Sequence, residues 1–133
     1  MRNCIFDTIT GRVFYSDAGV HHLIKSDRNC FHACAKIATL GGVDYADLTA
    51  WQAFTDDVGD SPDAHSIEAD PLLADPGSGD FSLQTGSPCA HAGHGSGVTE
   101  DVEGDPFDPY HPDIGALSTG VSVWNKPKAN ELK

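Results

Sequence analysis

Asn3-Cys4-Ile5-Phe6 recurs as Asn29-Cys30-Phe31-His32, an offset of 26 residues. A repeat of that period restricts the chain more than any other feature, because each copy must bury its apolar residues against the next. Between the copies lie short β-prone runs, Arg12-Val13-Phe14-Tyr15 and His21-His22-Leu23-Ile24, broken at Thr10-Gly11 and Asp17-Ala18-Gly19. A third run, Lys36-Ile37-Ala38-Thr39-Leu40, ends at Gly41-Gly42. Such short runs, with Gly, Asp and Asn turns between them, read as β structure. About three per period fit one turn of a β-solenoid with strands stacked ~4.8 Å apart. On that pattern Ile5, Val13, Leu23, Phe31, Ile37, Leu72, Leu83 and Ile114 form the core. Cys4 and Cys30 would stack as equivalent positions of neighbouring coils, side by side and as free thiols.

The middle of the chain changes period. In the run from Asp47 to Phe54, Leu48, Trp51 and Phe54 are spaced three apart. That is one face of a helix of about two turns, with Asp47 as its N-cap. So short a helix needs its apolar face docked on the strands. From Asp63 onward turns dominate, at Asp70-Pro71, Asp75-Pro76-Gly77, Gly86-Ser87-Pro88 and Gly104-Asp105-Pro106. Residues 1–120 read as coils and a cap, and 121–133 as a surface strand with Trp124 followed by a flexible tail.

Charge is distributed unevenly. Residues 37–125 contain no Lys or Arg and carry a net −16, while 1–36 and 126–133 each carry +2. Such a field disfavours nucleic acid and anionic membranes as partners, and no apolar run approaches the ~20 residues that cross a bilayer. The acidic loop at 101–108 offers Asp101, Glu103, Asp105 and Asp108 as candidate Ca²⁺ ligands. It lacks the EF-hand pattern, and Asp-rich turns are also ordinary loop chemistry. Cys30, His32 and Cys34 would share one side of an extended strand, a candidate for part of a zinc site or simply for burial.

Several stretches together resemble the C-terminal end of right-handed parallel β-helix proteins of the pectate-lyase-like superfamily. They are Asp27-Arg28-Asn29-Cys30-Phe31, Leu48-Thr49-Ala50-Trp51-Gln52, Asp63-Ala64-His65-Ser66-Ile67, Ala69-Asp70-Pro71-Leu72, Gly79-Asp80-Phe81-Ser82-Leu83-Gln84, Gly86-Ser87-Pro88-Cys89-Ala90-His91-Ala92-Gly93 and Asp113-Ile114-Gly115-Ala116. Two features depart from the pattern. His91 stands where the family has Asp, and the 95–112 loop is longer and more acidic. The resemblance implies an all-β fold, the end of a short right-handed parallel β-helix with one docked helix and a loop-rich C-terminal cap. It also implies a secreted or cell-surface, glycan-related setting, although the N-terminus carries no signal-peptide pattern. Catalytic groups of such proteins usually sit on central coils, and this chain resembles the final coils of a longer parent.

Two readings of function follow. In the first, the chain is a non-catalytic terminal module with a structural, assembly or glycan-facing role. It would self-associate through the N-terminal face, where Ile5, Phe6, Val13 and Phe14 lie at an open end of the coil. In the second, it is a carbohydrate-active enzyme or the remnant of one, a polysaccharide lyase or glycoside hydrolase. Arg12, Lys25, Arg28 and Lys36 are then the only basic side chains on the coils. The 20 acidic residues make any carboxylate-pair criterion uninformative.

Overall fold

The computed structural model describes residues 1–17, 25–55, 59–95 and 97–119. Strands β1 (Ile5–Asp7), β3 (Cys30–His32) and β6 (Ile67–Glu68) form one parallel sheet in the order β1-β3-β6. A second sheet is ordered β2 (Arg12–Ser16), β4 (Lys36–Leu40), β5 (Val43–Tyr45). In it β2 and β4 run parallel and β4 and β5 antiparallel. A third, antiparallel pair joins β7 (Leu73–Asp75) to β8 (Asp80–Leu83) across a 3-10 turn at Pro76–Ser78.

These are three small, separate sheets of mixed strand direction. The expected right-handed parallel β-helix end is therefore not formed; strands dominate, but they neither wind into a solenoid nor close. The reason lies in the turns. Gly41 and Gly42 both take positive φ, +54° and +82°, which folds β5 straight back onto β4 as a hairpin. Gly79, at φ +88°, precedes β8 in the second reversal.

The sequence repeat does pair in parallel, but one residue out of the expected step. Ile5 lies opposite Cys30, an offset of 25, and Cys4 N–H donates to the Asn29 side chain at 3.0 Å. The left-handed residues repeat with the same step, Asn3 with Arg28 and Thr8 with Ala33. Cys4 is thus not stacked on Cys30, since a one-residue slip turns a side chain to the other face.

Helix α1 (Leu48–Gln52) starts where the spacing predicts, with the Asp47 carboxylate accepting from Ala50 N–H at 2.8 Å, but it is shorter than the expected two turns and ends at the Ala53 C-cap, before Phe54. It buries Leu48 and Trp51 against Phe31, Ile37, Ala38 and Leu40. Aromatic rings extend this core: Trp51 stacks on Phe14 at 5.7 Å and on Phe54 at 5.7 Å, and Phe6 stacks on Phe31 at 5.2 Å. A second cluster holds Cys30, Cys89 and Ile114, with Ile5, Ile67 and Leu83 packed around it. Of the expected core, Phe31, Ile37 and Ile114 are buried; Ile5, Val13, Leu72 and Leu83 are half-buried. Leu23 and segment 121–133 lie outside the described residues.

Between the clusters sits Asp63, fully buried with φ +53°. Its Oδ1 accepts from Ser26 Oγ (3.1 Å), Asn29 Nδ2 (2.9 Å) and Ser66 Oγ (2.6 Å), and its Oδ2 from Trp51 Nε1 (2.8 Å). Gln52 Nε2 donates to the Asp63 carbonyl at 2.7 Å. One carboxylate thereby joins the segment before β3, the helix and the turn before β6.

Candidate functional site

The acidic loop uses its carboxylates on its own backbone. Asp101 accepts from Ser118 N–H at 2.9 Å, from Glu103 N–H at 2.8 Å and from Asp105 N–H at 2.9 Å. Asp108 accepts from His111 N–H at 2.9 Å and Tyr110 N–H at 2.8 Å. The amides of Ser118 and of His111, first among the donors, hold these two carboxyls below the usual range. Glu103 and Asp105 are exposed members of the same loop. Among the described residues no three His, Cys, Asp or Glu side chains converge as a metal-holding group. The Cys30-His32-Cys34 set is separated by Ala33, whose φ of +48° ends β3 and redirects the chain. Cys30 enters the second cluster, His32 Nδ1 lies 2.9 Å from Asp7, and Cys34 packs beside the aromatic core.

Of the four basic residues, the register brings Arg12 and Lys36 opposite each other on β2 and β4, where both act on the Asp44 carboxylate. Lys25 pairs with Asp60, Lys36 with Asp44, and the Arg12 guanidinium lies 4.1 Å above the Tyr15 ring. Arg28 buries its Nε without a hydrogen-bond partner. His91 puts Nδ1 3.7 Å from the buried Asp113 carboxylate, which accepts the His91 N–H at 2.7 Å.

One ion pair yields a pH expectation. Burial would raise the Asp27 carboxyl, but His65 donates its backbone N–H (2.8 Å) and approaches with Nδ1 (2.9 Å), and the net displacement is downward. Asp27, Asp101 and Asp108 all titrate lower in the folded chain than unfolded. Their stabilising contribution is complete above the unfolded value of about 3.9 and disappears as pH falls through the folded values. The thermal midpoint should hold between about pH 7 and 5 and begin to fall below about pH 4, by a modest amount because these carboxylates are solvent-screened. A midpoint unchanged down to about pH 3 would contradict these assignments.

A groove of about 610 Å³ runs beside β1, lined by Ile5, Phe6 and Ile9 of that segment and by Leu73, Pro76 and Phe81. The surface is predominantly apolar, and Phe81 is 50% exposed there. Gly115 N–H closes one end by donating to Asn3 O at 3.0 Å. Gly115 takes a φ of +132°, which side chains rarely adopt, and a Cβ there would press to 3.2 Å of Ile5 Cδ1.

No family model, curated protein or solved structure matches this chain. Nothing in those comparisons ties the chain to the pectate-lyase-like superfamily, so the groove and the open strand beside it must be read from their own chemistry. Ile5 and Phe6 are legible in the sequence as members of this face, whereas Leu73, Pro76 and Phe81 are not, because nothing in the spacing reveals that the β7–β8 hairpin lines the groove with β1.

Proposed function

We propose that this chain is a non-catalytic assembly module that binds a second copy of itself through the face carrying β1 and β2. The observation that carries the reading is the coincidence of two open sheet edges. Among the described strands, β1 is outermost in one sheet and β2 in the other. Phe6 and Phe14 meet at 6.0 Å, so the two edges lie side by side. Unpaired strand edges beside half-buried apolar residues favour pairing with another chain. Charge supports a like copy meeting here, since residues 1–36 carry +2 whereas 37–125 carry −16 and repel their equivalents.

Size exclusion with light scattering tests the proposal. Raising salt from 0.1 M to 1 M shortens the Debye length from ~10 Å to ~3 Å and should shift the mass from monomer toward dimer. Phe81→Glu places a charge in the groove at an exposed position and should hold the chain monomeric. A strict monomer at high concentration and high salt would overturn the proposal, as would a dimer indifferent to Phe81→Glu.

A further inference from the structure

Gly115 and Ala116 line the groove beside β1, and the described chain runs on from there to Thr119. Ser118 and Thr119 are tied to the acidic loop. Ser118 N–H donates to Asp101 at 2.9 Å, its Oγ to Pro106 O at 3.0 Å, and Thr119 Oγ1 to Asp113 at 2.8 Å. Residues 120–133 lie outside the described residues, but their sequence has two parts of opposite chemistry. Val121-Ser122-Val123-Trp124 is β-branched and aromatic, the composition of a strand. Residues 126–133 follow with three Lys and Glu131, a net +2 in a chain of net −12. The groove complements both parts. Ile5, Ile9, Leu73 and Phe81 line it beside β1, which is outermost in its sheet among the described strands. On its hairpin side, next to Pro76 and Phe81, Asp75 lies opposite Asp80. Both carboxylates are exposed, and like charges in that register repel.

We infer that the groove is the docking site for residues 121–128 of a second copy, so that the two chains exchange their C-terminal segments. The inference rests on the assembly reading above and names the segment that makes the contact. Val121–Trp124 adds to the outer edge of β1, Trp124 fills the apolar groove beside Phe81, and Lys126 and Lys128 meet Asp75 and Asp80. At ~3.3 Å per residue those four residues extend about 13 Å, enough to cover a three-residue strand. Main-chain pairing gives the register, and a buried aromatic anchor gives most of the affinity. A two-fold axis makes the exchange reciprocal, each copy giving one segment and receiving one. Among the described residues none after Ala116 lines the groove of its own chain. Repulsion between two chains of net −12 remains the larger charge effect, so added salt still favours assembly.

Light scattering of the full chain at 1 M salt compares the parent with Trp124→Ala and Val123→Glu. Both variants should keep the circular dichroism of the parent and self-associate at least about tenfold more weakly. A synthetic peptide of residues 119–128, added in excess, should convert the parent dimer to monomers and should not bind Phe81→Glu. A parent dimer that excess peptide leaves intact, or a Trp124→Ala dimer as tight as the parent, would overturn this inference and leave the assembly reading standing. A parent that stays monomeric would overturn both. Tighter dimerisation of Trp124→Ala than of the parent would also overturn the inference, because the segment would then cover the groove of its own chain.

Discussion

Asp63→Ala should destabilise the fold by at least ~3 kcal/mol, a large share of the ~5–15 kcal/mol that separates most domains from their unfolded state. The carboxylate is fully buried and takes four side-chain hydrogen bonds, from Ser26, Asn29, Ser66 and Trp51. Alanine leaves those donors facing one another in a site sealed from water, and each orphan costs about 1–3 kcal/mol. Alanine must also hold a φ of +53°, which aspartate and asparagine tolerate better. Asp63→Asn retains one acceptor oxygen and should fall between alanine and the parent. Denaturant unfolding measures both variants. A change below about 1 kcal/mol for Asp63→Ala would show that the network does not hold these segments together.

Trp51→Ala carries the second large effect, about 3–5 kcal/mol in the same measurement. Its ring is fully buried, contacts Phe14, Tyr45 and Phe54, and anchors the helix to the β2-β4-β5 sheet. Trp51→Phe keeps most of the stacking and removes only the indole N–H given to Asp63. It should cost clearly less than alanine. Because Trp51 and Asp63 share a bond, the double variant should be less unstable than the two single losses combined. Strict additivity would contradict the coupling.

The sequence displayed local features well and long-range ones poorly. Asp47 and the three-residue spacing of Leu48, Trp51 and Phe54 placed α1 because caps and helical faces are encoded within a few residues. The Asn-Cys repeat marked the segments that pair as β1 and β3, yet its step of 26 misled the register. Left-handed residues at Asn3 and Arg28 set the pairing at 25, and only Asn3 belongs to a residue type that favours this conformation. Gly41-Gly42 read as the end of a run, whereas two adjacent glycines are also a hairpin signal, and the hairpin prevailed. The Asp63 network was invisible because its partners lie at 26, 29, 51 and 66 and meet only when the chain is folded. The groove was half legible, its β1 wall at Ile5 and Phe6 standing out while Phe81 came from a distant hairpin.

Hydrogen exchange across a series of protein concentrations at 1 M salt tests the assembly proposal most directly. Among the described strands β1 and β2 are outermost, whereas β3 and β4 are already paired on both sides. Those amides of β1 and β2 that point away from β3 and β4 should slow as the dimer fills, with the amides of β3 and β4 unchanged. Slow exchange of these outward amides of β1 in the dilute monomer, independent of concentration, would contradict the account, because the edge would then be covered from within the same chain.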